Sequence, residues 1–309
     1  MKRGISFMKQ IQNFLSFVEI STKLASVMPF IVGTGYAMYR YGTLRPKQVL
    51  VFFAAMLLFD MTTTAINNHI GHRQTGRSPH YAGAVSIIII VAMGLTATVI
   101  GVYLAAISNL AVLLVGVLCF GVGFVYSYGP LPIARTPFGE LFSGVIMGVC
   151  IPFIAVELVV SIVDISFEGF RRVVVTADLM ELLALGVVVV PLVCCIANIM
   201  LANNICDIEE DVKVQRYTLP FYIGVKNALR LYGFLYIAAY LFIIAGAVIR
   251  AVPIFTLTLL FTAVAVKKNV RRFIERQDKS QTFFTAILNF LAITVPYAAC
   301  IWLGSLLRL

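Results

Sequence analysis

Residues 180–211 read MELLALGVVVVPLVCCIANIMLANNICDIEED, and the fold turns on this stretch. Its apolar part has the ~20 residues that a helix rising ~1.5 Å per residue needs to cross ~30 Å of hydrocarbon. The end of the run then brings Asn203, Asn204, Asp207, Glu210 and Asp211. Carboxylates are costly deep in lipid, so such a segment places its polar chemistry at the water boundary.

Similar runs recur along the 309 residues, near 24–42, 48–68, 83–105, 107–126, 139–162, 180–203, 228–249, 252–266 and 283–306. Composition agrees. The chain is 61% hydrophobic and 12% charged, where soluble domains hold about 45–50% and about 25%. A water-soluble globule, a disordered chain and a secreted disulfide scaffold are excluded. The expected fold is an all-α membrane protein, a nine-transmembrane-helix bundle in one domain covering 1–309. Lys2 and Arg3 are followed by mixed polar residues up to Lys23, with no short apolar core of a cleavable signal peptide. The six cysteines contain no C-x-x-C pair and read as small packing groups.

With the N-terminus inside, seventeen of the 24 Lys and Arg residues fall on inner segments, as the positive-inside rule asks. The formal charge of +10 then marks cytoplasmic loops and an anionic ligand rather than nucleic acid.

Two inner segments resemble each other. Residues 67–75 read NNHIGHRQT and residues 203–211 read NNICDIEED, each directly after an apolar run. Both set marked positions at i, i+4 and i+8: Asn67, Gly71 and Thr75 in the first, Asn203, Asp207 and Asp211 in the second. That spacing stacks side chains on one helical face and suggests two half-sites across a bundle. Asp207 and Asp211 form an oxygen-rich pair, and Mg²⁺ takes carboxylates together with phosphate oxygens and water. Lys23, Arg73, Arg77, Arg135, Lys213 and Arg216 lie on the same side, so the set fits a magnesium-bridged diphosphate; its plainer reading is a solvated acidic helix end balanced by lysines. A third segment, Tyr126 to Glu140, reads YSYGPLPIARTPFGE. Its three prolines stop any helix. Its aromatic rings could cap a pocket for a flat ring or an allylic cation, or simply anchor an interfacial turn.

The segment at 203–211, continued by Arg216, Tyr217, Thr218 and Leu219, resembles the second aspartate motif of the UbiA superfamily of intramembrane aromatic prenyltransferases. The Gly-Pro loop at 126–140 is similar to that of the 1,4-dihydroxy-2-naphthoate prenyltransferases of menaquinone synthesis. The stretch from Thr22 to Gly33, with Ala25, Ser26 and Pro29, looks like that group's N-terminal signature. The resemblance implies a central cavity open sideways to lipid and capped on the cytoplasmic side of the cell membrane. It also implies Mg²⁺ ions holding a polyprenyl diphosphate, whose allylic cation alkylates an aromatic acceptor; with dihydroxynaphthoate, carboxylate loss gives a demethylmenaquinol. Carried onto this chain, Asp207 and Asp211 are the metal ligands and, with Asn67, Tyr126 and Arg135, the catalytic residues. Lys23, Asn68, His72, Arg73, Asn203, Lys213 and Arg216 bind the diphosphate.

The first motif departs from the family pattern, which has acids at about the places of Gly71 and Thr75 and often at Asn68. Three readings stay open. Metals are held chiefly by Asp207, Asp211 and phosphate oxygens; or the enzyme is slow or altered in substrate; or the chain is a non-catalytic protein that binds a quinone or prenyl lipid. A transporter would string ionisable groups through several spans, whereas these gather at one boundary. Asp60 is expected to make a structural hydrogen bond or line a pocket rather than bind metal, and Glu157 to snorkel at the surface; the cations at 267–279 read first as a topology anchor on anionic lipid and second as helpers in recruiting a diphosphate.

Overall fold

In a computed structural model of the chain, helices α1 (Lys2–Phe17), α2 (Leu24–Tyr41), α3 (Pro46–Thr75), α4 (Gly83–Ala106) and α5 (Leu110–Ser127) come first. Helices α6 (Gly139–Val145) and α7 (Ile151–Glu157) form one run through a π-helical turn, Ile146–Cys150. Then follow α8 (Leu179–Cys206), α9 (Ile208–Lys213), α10 (Leu219–Ile223), α11 (Val225–Val248), α12 (Thr262–Glu275) and α13 (Phe284–Leu307). The structure describes residues 2–75, 81, 83–129, 132–169 and 171–307, with side chains from residue 8 onward except at 72–75 and 168.

Among the described residues, seven helical runs are long and apolar enough to cross a membrane: Pro46–Gly71, Gly83–Ala106, Leu110–Ser127, Gly139–Glu157, Leu179–Cys206, Val225–Val248 and Phe284–Leu307. The helices Met8–Phe17 and Ile20–Tyr41, bent by 52° at the break between them, make an eighth when taken together as one broken span. This is a multi-pass membrane bundle.

Two expectations need correction. Residues 252–266 do not form one α-helical span: Ile254–Phe261 is a 3₁₀ helix, followed by α12. The hydroxyls of Thr256, Thr258 and Thr262 each donate to the carbonyl three residues back, which competes with the α pattern. Nor is the chain all-α. Strands β1 (Val163–Glu168) and β2 (Arg172–Ala177) form an antiparallel hairpin, paired from Val163↔Ala177 to Glu168↔Arg172. Val163, Ile165 and Phe167 alternate with Asp164, Ser166 and Glu168, a period of two that a search for twenty-residue apolar runs passes over.

Glu157 is corrected too. It is buried at 3% exposure and accepts hydrogen bonds from Asn109 Nδ2 at 2.6 Å, Ile162 N at 2.9 Å and Val163 N at 3.2 Å. Asn109 also caps α5 by accepting from Val112 N. The carboxylate thus fixes the start of α5 to the entry of the hairpin.

The largest buried cluster draws on α2, α7, α8, α11 and α13. Lipid is as apolar as leucine, so helices here gain from close backbone approach rather than from leaving water. A Cβ at Gly148 would lie 2.8 Å from the Val193 nitrogen, and one at Gly33 would lie 2.6 Å from the Pro152 Cα. These glycines let the fifth crossing run against both α8 and α2. Helices α4 and α5 turn Ile88, Leu95, Val99, Val102 and Val117 outward, as lipid-facing helices do.

Near the start of α2, Lys23 donates to Asp60 Oδ1 at 2.7 Å and to the Asp60 carbonyl at 3.2 Å. Ser26 adds a bond to Asp60 Oδ2 at 2.6 Å. Both partners are buried, and removing one side of such a pair strands a charge. Asp60→Ala is therefore expected to lower stability by about 3–5 kcal/mol, while Lys23→Met with Asp60→Leu recovers most of the loss. Unfolding in detergent micelles measures this; wild-type stability of Asp60→Ala would contradict it.

Candidate active site

Helix α8 carries its apolar run to Asn203 and Asn204, then ends at Asp207, whose backbone N–H bonds the Asn203 carbonyl at 3.1 Å. Helix α9 continues the turn, with Asp211 N bonded to the Asp207 carbonyl at 2.8 Å. Asp207 and Asp211 keep the i, i+4 relation read from the sequence. Consecutive residues point ~100° apart on a helix, so the two asparagines diverge. Asn203 Nδ2 lies 3.3 Å from Asp207 Oδ2, whereas Asn204 Nδ2 turns inward to Glu140 Oε1 at 2.8 Å.

Arg216 joins these groups. Gln215 adopts a left-handed φ of 56°, and Arg216 N returns to the Asp211 carbonyl at 2.8 Å. Its guanidinium then donates to Asp211 Oδ1 at 3.3 Å, Asn204 Oδ1 at 3.1 Å and the Ala134 carbonyl at 3.1 Å. Tyr217 N adds a bond to the Arg135 carbonyl at 3.2 Å. Arg135 ends a short 3₁₀ turn, Ile133–Arg135. The loop at 126–140 is thereby held over the end of α8, though Pro130 and Leu131 lie outside the described residues. Tyr126, half-buried at the end of α5, has its hydroxyl 3.8 Å from Met200 Sδ on α8.

A second cation reaches the acids from the far end of the sequence. Lys279 donates to both Asn203 Oδ1 and Asp207 Oδ2. Burial pushes the Asp211 carboxyl above the usual carboxylate range, and Arg216 pulls it back. Asp211 Oδ2 and Glu140 Oε2 are buried without a hydrogen-bond partner.

The first Asn-led segment is engaged differently. Asn68 Nδ2 donates to the Phe17 carbonyl at the end of α1, 3.0 Å away, and Lys23 is committed to Asp60. Asn67 is exposed, and a Cβ at Gly71 would meet nothing within 4 Å. The side chains of His72, Arg73 and Thr75, and all of Arg77, lie outside the described residues. Lys213 is exposed at the end of α9. The structure thus gathers Asn203, Asp207, Asp211, Arg216 and the Arg135 backbone. It adds Asn204, Glu140 and Lys279, which sequence reasoning did not assign. Asn204 was visible as the second member of its pair and Glu140 as the end of the proline loop. Lys279 was hidden in the basic run at 267–279.

Carboxylate oxygens are hard ligands suited to Mg²⁺, and the partnerless Asp211 Oδ2 fits that role. Among the described residues no three His, Cys, Asp or Glu side chains converge on one point. The protein would supply two carboxylates, and phosphate oxygens would complete the shell. A cavity of about 440 Å³ lined by Tyr39, Arg40, Arg250 and Gly304 contains none of these acids. It lies by Arg40, which pairs with Glu181 at 2.8 Å at the opposite end of α8.

Arg216 opposes the upward push of burial on Asp211, so removing it raises that carboxyl further. Mn²⁺ binding should then be lost at higher pH in Arg216→Gln than in the wild type as pH falls. A titration of Mn²⁺ binding against pH checks this, and an unmoved acid limb would contradict it.

Residues 26–293 match the model of the UbiA prenyltransferase family. A 1,4-dihydroxy-2-naphthoate octaprenyltransferase of Bacillus subtilis (strain 168) is 30% identical over 239 residues, 72% of this chain and 70% of that protein. The apo structure of a UbiA homolog from Aeropyrum pernix K1 superposes with a TM-score of 0.67 at 21% identity, covering 92% of this chain and 98% of the other. A UbiA homolog from Archaeoglobus fulgidus bound to GPP and Mg²⁺ gives 0.68 at 13% identity, with 94% and 98% covered. With the family model spanning most of the sequence, this membrane chain belongs to the UbiA prenyltransferase family.

Proposed function

We propose that this prenyltransferase transfers a polyprenyl group from its diphosphate to 1,4-dihydroxy-2-naphthoate, releasing diphosphate and the ring carboxylate as CO₂ and giving the demethylated quinol precursor of menaquinone. The observation that carries the reading is the partnerless buried oxygen of Asp211 beside Asp207 at the end of α8. The Bacillus relative's name supports the acceptor. The Archaeoglobus structure bound to GPP and Mg²⁺ supports the metal and the diphosphate donor.

A long isoprenoid tail belongs in lipid and its diphosphate head does not, so the reaction sits where a span ends. The ninth crossing of the bundle is the run from Ile254 to Glu275. Its uncharged part, eight 3₁₀ residues at ~2.0 Å and the five α residues to Val266 at ~1.5 Å, extends about 24 Å, and the long side chains from Lys267 onward reach the polar boundary. The chain works as one domain over 1–309, with its reaction chamber open to lipid and capped on the cytoplasmic side of the cell membrane.

Asp207 and Asp211 would hold Mg²⁺, which as a Lewis acid would stabilise the negative charge developing on the departing diphosphate. Arg216, fixed on Asn204 and the Ala134 carbonyl, keeps Asp211 Oδ1 occupied and leaves Oδ2 toward the site. Arg135, Lys213 and Asn203 line the diphosphate side, and Asn67, exposed on α3, lines it from the first segment. Heterolysis of the allylic C–O bond sends its electron pair to the diphosphate. The Tyr126 ring face then shields the allylic cation, and enclosure keeps water from quenching it.

Purified protein given dihydroxynaphthoate, a polyprenyl diphosphate and Mg²⁺ should release diphosphate and form a prenylated naphthol. Tight ligand binding with no product would instead mark a non-catalytic prenyl-lipid binder. Asp207→Asn and Asp211→Asn should each reduce product at least about a hundredfold with folding retained; full turnover in both would defeat the assignment. Gly71→Asp, into the open space beside that residue, should raise Mg²⁺ affinity, and unchanged affinity would argue against a second half-site.

A further inference from the structure

The six basic residues between 267 and 279 read as one stripe, yet Lys279 stands apart from the rest. It follows α12 in a turn organised by Asp278, whose Oδ1 accepts from Ser280 N at 2.9 Å, Ser280 Oγ at 2.7 Å and Gln281 N at 3.0 Å. Thr282 Oγ1 accepts from Asp278 N at 2.9 Å and donates to the Arg276 carbonyl at 2.8 Å. Asp278 also pairs with Arg276 at 3.0 Å. The turn is fixed by side chains on both flanks, and it presents one ammonium to Asn203 Oδ1 and Asp207 Oδ2. The Phe283 ring, 5.3 Å from Nζ, backs it.

Two features of that contact belong together. The ammonium lies on an oxygen of Asp207, an acid read here as a metal ligand, and so holds a position that a divalent ion would contest. The Lys279 side chain is nonetheless 48% exposed, and half-exposed ion pairs are weak. A lysine is a point charge on a flexible four-carbon stem with three rotatable donors, well suited to exchange a carboxylate for a phosphate. Arg216 is held by three stretches of chain and Lys23 is buried against Asp60. Neither has this freedom. The need for a further positive charge is written in the sequence: residues 67–75 contain no acid with which to recruit a metal.

We propose that Lys279 is the exchangeable counter-cation of this site: without substrate it neutralises Asp207, and when a diphosphate binds it passes to a non-bridging phosphate oxygen. The inference rests on reading the site as a diphosphate site. It makes Lys279 a competitor of the metal in the free protein and a partner of the metal once diphosphate is present. Charge that other chains could draw to the first segment is supplied here by a side chain from the turn between α12 and α13.

Direct binding measurements on the purified full chain test it. The probes are Mn²⁺ alone, read by electron paramagnetic resonance, and an unreactive prenyl thiolodiphosphate at fixed Mg²⁺. Lys279→Gln should bind Mn²⁺ alone about tenfold tighter and the thiolodiphosphate about tenfold weaker, the scale of one hydrogen bond to a charged group. Lys279→Arg, which keeps the charge, should stay within about threefold of wild type for the analogue. The proposal is overturned if Lys279→Gln changes neither affinity, or changes only one of the two. Asp207→Asn separates this from failure of the site reading. If it weakens both probes while Lys279→Gln moves neither, the diphosphate site stands and the exchange is wrong. If Asp207→Asn moves neither probe, the site reading itself falls and takes the exchange with it.

Discussion

The guanidinium of Arg216 meets three separate stretches of chain: Asp211 on α9, Asn204 at the end of α8, and the Ala134 carbonyl in the loop before α6. Arginine suits this position because its planar fork fixes several acceptors at once. Without it, Asp211 would sit more than a turn beyond the end of α8 as a buried charge with nothing to orient it. With it, one carboxylate oxygen is occupied and the other is buried without a hydrogen-bond partner. Asn204 is oriented in turn, since its amide gives Nδ2 to Glu140 and Oδ1 to Arg216. The proline-rich loop, the end of α8 and the acidic turn therefore hold one another in place.

That junction is useful because of where it sits. Helix α8 runs 28 residues, about 42 Å at 1.5 Å per residue, from the Arg40–Glu181 pair at one end to the acids at the other. One end serves architecture. There Glu181 accepts from Tyr36 and Arg40 of α2, and Glu157 fixes the hairpin to α5. The other end gathers acids, amides and cations where an isoprenoid tail can remain in lipid while its charged head stays outside. Small residues such as Gly33 and Gly148 bring the crossings close enough to tie the two ends into one bundle.

Much of this was legible in the residues alone. Hydropathy located the crossings because a hydrocarbon layer demands long apolar runs, and the NNICDIEED segment announced its paired acids through helical spacing. The misses have physical causes. The hairpin at 163–177 carries a period of two that hydropathy averaging removes. Glu157 has the composition of a surface group and became an internal acceptor because two backbone N–H groups beyond α7 needed one. The 252–266 run has the hydropathy of a span, but its threonines draw their bonds three residues back and tighten the helix. Lys23, read as a diphosphate ligand, proved to be tied to an acid 37 positions later in the chain, and spacing carries no information about such a contact. Lys279 lies 72 positions from Asp207 and was masked by the cations around it.

The central claim is that a metal-bound diphosphate rests on the two acids at the end of α8. Anomalous diffraction from crystals grown with Mn²⁺ and an unreactive prenyl thiolodiphosphate tests it most directly. A manganese peak is expected within about 2.5 Å of a carboxylate oxygen of Asp211 or Asp207, the reach of a hard-cation bond, with phosphate density beside it. Manganese bound at His69 instead, or a diphosphate seated away from both aspartates, would contradict it.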